Sequence, residues 1–314
     1  MHYLCSMIDA NPMINGNGFE KDVRLLTEVS EQEARFVPET DSPMPSVASL
    51  CEVVDLVRQL VFPGYFDRRQ SDKELRSYHI GVNMERLYDV LSHQIRLALQ
   101  FHHCSECEAD EKRAAKLAQQ FIDQLPEVKR LLFTDVEAIF NNDPAAATPS
   151  EVIFCYPVVQ AMLHYRVAHV LQEMKIPVIP RIITEKAHSE TGIDIHPCAK
   201  IGEYFAIDHG TGVVIGQTCI IGNHVTLYQG VTLGAAGHRP FATNNNFDGE
   251  QLPRHPILED NVTVYSNSTL LGRITIGHDT IIGGNIWVTH DVPPNSRLRQ
   301  SKFVDSQFEG GLGI

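Results

Sequence analysis

The stretch LEDNVTVYSNSTLLGRITIGHDTIIGGNIWV, residues 258–288, carries an aliphatic side chain at every sixth position. A period of six matches neither an α-helix, at about 3.6 residues per turn, nor an alternating strand, at about two. It matches a triangular solenoid whose three flat sides use six residues each, so that one coil takes about 18 residues. The periodic residues are Leu258, Val264, Leu270, Ile276, Ile282 and Val288.

The same period extends back to residue 195, with two interruptions. The step from Ile207 to Ile215 is eight residues, so two residues bulge out around His209-Gly210. The step from Leu233 to Leu258 is 25 residues, so a long loop, 235–257, leaves the solenoid. Long loops in compact folds are usually functional or disordered. The earlier periodic residues are Ile195, Ile201, Ile207, Ile215, Ile221, Leu227 and Leu233.

Two further features accompany the repeat. Glycine often follows the aliphatic residue, and we expect it at the corners, where a positive φ costs glycine little. Four residues after the aliphatic, a small or β-branched side chain is expected to share the narrow interior. A chance alternation in a β-sandwich is the alternative, and six successive matches argue against it. The small positions are Ala199, Thr211, Cys219, Val225, Val231, Val262, Ser268, Ile274, Thr280 and Ile286.

The chain changes character near residue 190, and from 46 to about 171 its apolar spacing is mostly helical, most clearly over 71–100. We predict helices over 71–100, 109–124, 127–141 and 150–174. Asn142-Asp143-Pro144 interrupts them, because the residue before a proline avoids the helical region. The fold class is therefore α+β, an N-terminal all-helical domain followed by a parallel β-helix. The predicted domains are an arm, 1–45; a helical domain, 46–185; the β-helix, 186–296; and a flexible tail, 297–314.

Composition excludes several classes of protein. The 314 residues are 43% hydrophobic, enough for a packed core, and the formal net charge is −13. That charge argues against nucleic-acid binding, which needs basic surface. We find no secretory signal and no run of about 20 apolar residues, and so expect no membrane association. Seven scattered cysteines, an odd number, favour a cytoplasmic location over a disulfide framework.

Candidate chemistry lies at the two interruptions. With coils of about 18 residues, residue 212 should stack over Asp194, which would make Asp194 and His209 possible hydrogen-bond neighbours. A histidine oriented by a carboxylate is a good general base. His196, beside a proline at a turn, is expected instead to be a corner residue bonded to a backbone carbonyl.

The stretch DIHPCAKIGEYFAIDHGTGVVIGQTCIIGNHVTLYQGVTLG, residues 194–234, closely resembles the serine acetyltransferases, the hexapeptide acyltransferases of cysteine biosynthesis. The resemblance covers 143–296 well and the helical region in outline. Its combination of DIHP, DHGTG and a later RHP, residues 254–256, is more specific than the repeat alone. It implies a left-handed β-helix that assembles as a homotrimer, or a dimer of trimers (a hexamer), with active sites between chains.

The resemblance also implies an activity: acetyl transfer from acetyl-CoA to the hydroxyl of L-serine. His209 matches the family's general base and Asp194 its orienting carboxylate. Two aspartates would hold the serine ammonium, and the arginine fork would hold its carboxylate. Without the resemblance, Asp143 reads as a turn or helix-cap aspartate and Arg254 as a solvated loop residue. The implied substrate-binding residues are Asp143, Asp208, Arg254 and His255.

Acetyl-CoA would lie along a groove between neighbouring solenoids, where small residues let the pantetheine arm approach the backbone. Our candidates are Gly234, Ser266 and Gly284, and ordinary corner residues are the alternative. A thioester needs no metal, so we expect none. The cluster His102-His103-Cys104-Ser105-Glu106-Cys107 has no second ligand pair at suitable spacing, and we interpret it as a helix-end loop.

The family is also inhibited by L-cysteine, and its C-terminal isoleucine inserts into O-acetylserine sulfhydrylase. Ile314 would play that part here, unless the tail is a disordered terminus. Two alternatives stay open: an acyltransferase for another hydroxyl, such as that of homoserine or a sugar, and an inactive scaffold that binds the sulfhydrylase. Residues suited to bind both an ammonium and a carboxylate group argue against a sugar substrate. The presence of both His209 and Asp194 argues against an inactive scaffold.

Overall fold

The computed structural model describes residues 19–37, 43–66, 75–103, 108–236 and 253–300. The chain divides between Ser42 and Pro43 into two units. In the first, the described residues form α1, Glu20–Thr27, and a 3₁₀ turn, Glu33–Arg35, with no buried residue in either. Three predictions lie outside the described residues: the role of Ile314, the side chains of the 102–107 cluster, and most of the 235–257 loop.

The second unit begins with a set of packed helices. None of the described helices has both the length and the apolar character needed to cross a bilayer. Ser46 caps α2 by accepting a hydrogen bond from the Ser49 backbone N–H, and Thr148 caps α5 in the same way through Glu151. The helices are α2, Val47–Val61; α3, Arg76–His103; α4, Glu108–Asn142; α5, Pro149–Cys155; α6, Pro157–Glu173; and α7, Ile179–Thr191.

The structure corrects the predicted helix boundaries. The helices expected at 109–124 and 127–141 are one, α4, with Pro126 inside it. Its flanking side chains, Leu125 and Val128, are buried, and their packing offsets the lost backbone hydrogen bond. The helix expected at 150–174 is two, because Tyr156 is extended before Pro157. The sequence analysis missed α7, whose Pro180 sits in the first turn, where a proline is tolerated.

Short parallel strands then form a three-sided β-helix, which confirms the predicted fold class. Face A has the order β1-β4-β7-β10-β13, face B β11-β8-β5-β2, and face C β14-β12-β9-β6-β3. The long loop leaves after β7 and returns before β8. The strands are β1, Asp194–Ile195; β2, Lys200–Ile201; β3, Ala206–Asp208; β4, Val214–Ile215; β5, Ile220–Ile221; β6, Thr226–Tyr228; β7, Thr232–Gly234; β8, Ile257–Leu258; β9, Thr263–Val264; β10, Thr269–Leu271; β11, Thr275–Ile276; β12, Ile281–Ile282; β13, Trp287–Val288; and β14, Arg297–Leu298.

The six-residue repeat points inward as predicted. Every periodic aliphatic from Ile195 to Val288 is buried, and the most exposed of them, Ile201, is only 8% accessible. One of the small positions is wrong: Thr211 is exposed, and Val213 is fully buried in its place. The cause is the two-residue bulge, which shifts the inward position by two.

The corner glycines have a different role from the one expected. None of those that follow an inward aliphatic has a positive φ. They are needed for close approach, because a Cβ on Gly202 would lie 2.7 Å from the carbonyl oxygen of Gly222. The left-handed backbone instead falls three residues after the aliphatic, at Tyr204, His224, Asn261, Asn267, Asp279 and Asn285. Asparagine and aspartate tolerate that conformation better than most residues.

A buried ion pair joins the helices to the first coil. Arg166 of α6 donates to both carboxylate oxygens of Asp135 of α4, at 3.1 and 2.9 Å. The same guanidinium donates to the carbonyl oxygens of Ile201 and Gly202, both at 2.7 Å. Asp135 also accepts from the Phe205 backbone N–H. This network fixes the helical domain against β2 and β3, and so positions the two walls of a cleft between the helices and β3.

Candidate active site

A cleft of about 390 Å³ opens where the helices meet face C of the first coil. The end of α4 and the α5–α6 junction contribute Asp143 and Tyr156. The end of β3 contributes Asp208 and His209. Three of the predicted site residues therefore line one cleft: the adjacent Asp208 and His209, and Asp143, which lies far from them in sequence.

Asp143 is held by the turn that interrupts the helices. Its Oδ1 accepts from the Ala145 backbone N–H at 2.8 Å, the local contact expected of a turn aspartate. Its Oδ2 accepts from the Tyr156 hydroxyl at 2.5 Å. These two bonds, the hydroxyl first, lower the pKa of the Asp143 carboxyl, so it is ionised at neutral pH. The carboxylate in turn raises the pKa of Tyr156 to about 12.

Tyr156 was missed by the sequence analysis. The signal for it was the Cys-Tyr-Pro sequence inside a stretch expected to be one helix. Because Pro157 forces its predecessor out of the helical region, Tyr156 ends at the junction, where its hydroxyl reaches Asp143.

His209 stands at the bulge between face C and face A. Its φ is +60°, and that of Gly210 is +91°. The Gly210 N–H donates to the Asp208 carbonyl at 2.7 Å, which closes a tight turn. The imidazole is 71% exposed, and its Nε2 lies 3.8 Å from Asp208 Oδ1. The ring is therefore open to a ligand entering the cleft, with a carboxylate beside it.

The predicted stacking of residue 212 over Asp194 is wrong. Asp194 pairs with Val214, an offset of 20 residues, because the bulge adds two to the first coil. The Gly212 N–H donates instead to the Gly192 carbonyl. Asp194, half-buried at the start of β1, lies at the same C–A corner as His209, but no hydrogen bond joins the two side chains within the described chain. Its orienting role stays a prediction.

Arg254 and His255 lie at the other edge of face A, where that face turns into face B. Both backbone N–H groups donate to the Thr218 Oγ1, at 2.9 and 3.0 Å. His255 is buried over Gly216, and Arg254 is exposed. Neither residue lines the cleft that holds His209. Within a single chain, Arg254 and His255 are therefore separated from Asp143, Asp208 and His209.

His196 occupies the same A–B corner, one coil lower. Its Nδ1 accepts from the Cys198 backbone N–H at 3.1 Å, so its backbone partner is a donor and not the expected carbonyl. Burial, and after it the positive charge of Arg181, lowers the pKa of His196 to about 4. Burial, followed by Arg254 and Arg273, lowers the pKa of His255 to about 4 as well. Both imidazoles are neutral at pH 7.

The cofactor candidates divide between the same two corners. Ser266 and Gly284 are stacked neighbours on the C–A corner, above His209, and a Cβ on Gly284 would lie 3.2 Å from the Ser266 carbonyl oxygen. Gly234 ends β7 on the A–B corner, where a Cβ would lie 2.8 Å from Leu271 Cδ2. Among the described residues, no three histidine, cysteine or acidic side chains are grouped so as to hold a metal ion.

This chain is similar in sequence to several known proteins. No family model matches. The serine acetyltransferase, plasmid, of Synechococcus elongatus is 43% identical over 278 residues, which cover 87% of this chain and 86% of the relative. The serine acetyltransferase of Bacillus subtilis is 43% identical over 169 residues, covering 54% of this chain and 73% of the relative.

Two crystal structures from Entamoeba histolytica share the fold. Serine acetyltransferase isoform 3 in complex with cysteine has a TM-score of 0.69 and 31% identity, covering 82% of this chain and 84% of that one. Serine acetyltransferase 1 in complex with L-cysteine has a TM-score of 0.68 and 34% identity, covering 88% of this chain and 94% of that one.

Proposed function

Since the chain belongs to the serine acetyltransferase family, we propose that it transfers the acetyl group of acetyl-CoA to the hydroxyl of L-serine, giving O-acetyl-L-serine and CoA. One observation carries the site assignment: the cleft that puts the open imidazole of His209 beside the carboxylates of Asp143 and Asp208. An α-ammonium group fits between two carboxylates, and this would place the serine hydroxyl against the imidazole.

In this mechanism His209 is the general base. It takes the hydroxyl proton as the serine oxygen attacks the thioester carbonyl, and it returns that proton to the departing CoA thiolate. Asp194, at the same corner, would orient the ring and stabilise the imidazolium when substrate closes the site. Ionised Asp143, together with Asp208, holds the ammonium, and Arg254 with His255 holds the carboxylate.

The separation of the two corners supports a site shared between chains. His209, Ser266 and Gly284 lie on the C–A corner, whereas Arg254, His255 and Gly234 lie on the A–B corner. These corners are the two edges of face A. When three prisms pack around an axis, each interface joins one edge of a subunit to the opposite edge of the next. A homotrimer, alone or as half of a hexamer, would bring the two residue sets together and leave a groove for acetyl-CoA between them.

Mixing two inactive variants tests the shared site. We expect His209→Ala and Arg254→Ala each to lose serine acetylation, while co-refolded or co-expressed mixtures recover it. In a random mixture about a quarter of the interfaces combine an intact His209 with an intact Arg254. Recovery near that fraction supports the shared site, and no recovery in a verified mixed trimer contradicts it.

Substrate choice is tested by thiol release from acetyl-CoA with L-serine, L-homoserine and a galactoside. We expect turnover with serine and a loss of roughly 10²- to 10⁴-fold in kcat for His209→Ala, the usual contribution of a general base. His188→Ala is the control, because His188 is an exposed histidine of α7 whose contact is a surface pair with Glu185. A preference for the galactoside, or unchanged turnover in His209→Ala, would contradict the proposal.

Regulation and partners follow from the same assignment. L-cysteine presents the same charged ends as serine and would compete for this pocket. Two relatives crystallised with cysteine support that inhibition. Binding of O-acetylserine sulfhydrylase through Ile314 and a cytoplasmic location are part of the proposal. The free thiols of Cys51, Cys155, Cys198 and Cys219 fit a reducing compartment.

A further inference from the structure

Thr218, in the turn after β4, is hydrogen-bonded to the RHP segment, residues 254–256. Its Oγ1 accepts the backbone N–H groups of Arg254 and His255, at 2.9 and 3.0 Å. A hydroxyl has two lone pairs and one proton, so these two bonds leave only the proton free. The remaining neighbour, His255 Nδ1, lies 2.9 Å from the same oxygen. The hydroxyl must therefore donate to Nδ1.

A second donor reaches the same nitrogen. The Thr218 backbone N–H donates to His255 Nδ1 at 3.2 Å. A backbone N–H can only donate, so Nδ1 must carry its lone pair and not a proton. In a neutral imidazole the proton then sits on Nε2. An imidazolium would need protons on both nitrogens, and its Nδ1–H would meet two donors and no acceptor.

The surroundings keep the ring in place and uncharged. Arg273, from the turn after β10, donates to the carbonyl oxygens of Thr218 and His255, at 2.7 and 3.0 Å, which ties the two turns together. The ring packs closely against Gly216, where a Cβ would come within 2.0 Å of His255 Cδ2. The charged or titratable groups that face the imidazole are Arg254, Arg273 and, across the corner, His196. The two arginines are permanently cationic and disfavour a positive charge on His255, whereas His196 is itself neutral at pH 7.

We infer that Thr218 is a positioning residue that holds His255 as a neutral imidazole with its proton on Nε2, so that His255 donates a hydrogen bond to a substrate oxygen. The acceptor would be the serine carboxylate or the thioester carbonyl, and this part rests on the proposed function. A neutral donor can stabilise developing negative charge without competing with His209 as a base.

The protonation state is tested by ¹⁵N NMR of the histidine side chains in the full-length protein at neutral pH. The signals of His255 are identified by their loss in His255→Asn. We expect an unprotonated Nδ1 and a protonated Nε2 in the wild type, and the same in Thr218→Ser, which keeps the hydroxyl. A wild-type His255 with its proton on Nδ1, or one doubly protonated at pH 7, would overturn the inference.

The role of Thr218 is tested by Thr218→Val, which keeps the shape of the side chain and removes its hydroxyl. We expect altered His255 nitrogen signals, a higher pKa for that imidazole, and kcat/KM for serine lower by on the order of 10-fold. Thr218→Ser should restore all three. If the Val variant loses activity while the signals and pKa of His255 stay as in the wild type, Thr218 acts only on the fold and the inference fails. Because the NMR result needs no turnover, it stands or falls separately from the proposed activity.

Discussion

Replacing Arg166 by methionine should destabilise this protein severely. The side chains of Arg166 and Asp135 are 4% and 1% exposed, so the substitution leaves a carboxylate in the interior without its cation. Two carbonyl oxygens, those of Ile201 and Gly202, lose their donor as well. Breaking a buried pair from one side costs roughly 3–5 kcal/mol. Against a total stability of roughly 5–15 kcal/mol, that is roughly a third to a half for a protein in the middle of the range.

The measurement is the free energy of unfolding from urea titration, followed by circular dichroism. Arg86→Met is the matched control, because Arg86 also pairs with a carboxylate at 2.8 Å but is 58% exposed. We expect the control to lose less than about 1 kcal/mol. The double variant Arg166→Met with Asp135→Leu should recover part of the loss, since it removes the unpaired charge. A single variant no less stable than the control would refute the argument that this pair joins the two domains.

Three further predictions concern the site and the coil. Gly216→Ala should displace the His255 ring, because the new Cβ would lie 2.0 Å from Cδ2, and we expect roughly 10²-fold lower activity. The control is Gly81→Ala in α3, which has open space around it and should stabilise the protein by about 0.5–1 kcal/mol. Wild-type kinetics for Gly216→Ala would be incompatible with the described position of the ring. Tyr156→Phe removes the strongest influence that lowers the pKa of Asp143. As pH falls, that carboxylate should then protonate at a higher pH, so KM for serine should begin to rise earlier on the acidic side than in the wild type; superimposable KM–pH profiles would exclude this role. Asn285→Ala, at a φ of +57°, should cost about 1–2 kcal/mol in thermal or urea unfolding, whereas Asn285→Gly should cost less; equal effects would argue against a left-handed residue there.

Much of the fold could be predicted because the repeat is local. An inward aliphatic every six residues needs only its own coil to be buried, and all thirteen of these positions, from Ile195 to Val288, are buried. Reasoning from local sequence gave a wrong helix boundary at a proline whose packing the sequence does not show. Pro126 reads as a helix boundary, yet buried neighbours keep it inside α4. The corner glycines were assigned to positive φ, whereas the actual constraint is the close approach of the next coil, through its backbone at Gly202 and through a side chain at Gly216. The residues of that coil are too far away in sequence for the contact to be inferred.

The sequence by itself determined the coil and the bulge at His209, because the spacing of residues is a property of short segments. The candidate substrate ligands came from the resemblance to a known family, and their roles stay predictions. Only the tertiary structure decided which of them meet. The Asp135–Arg166 pair seats the helices so that Asp143 and Tyr156 face Asp208 and His209. The two extra residues of the bulge reset the register of Asp194, and the three-sided cross-section sends Arg254 and His255 to the opposite edge of face A. Distances between coils and corners depend on how the whole prism closes, and no single segment carries that information.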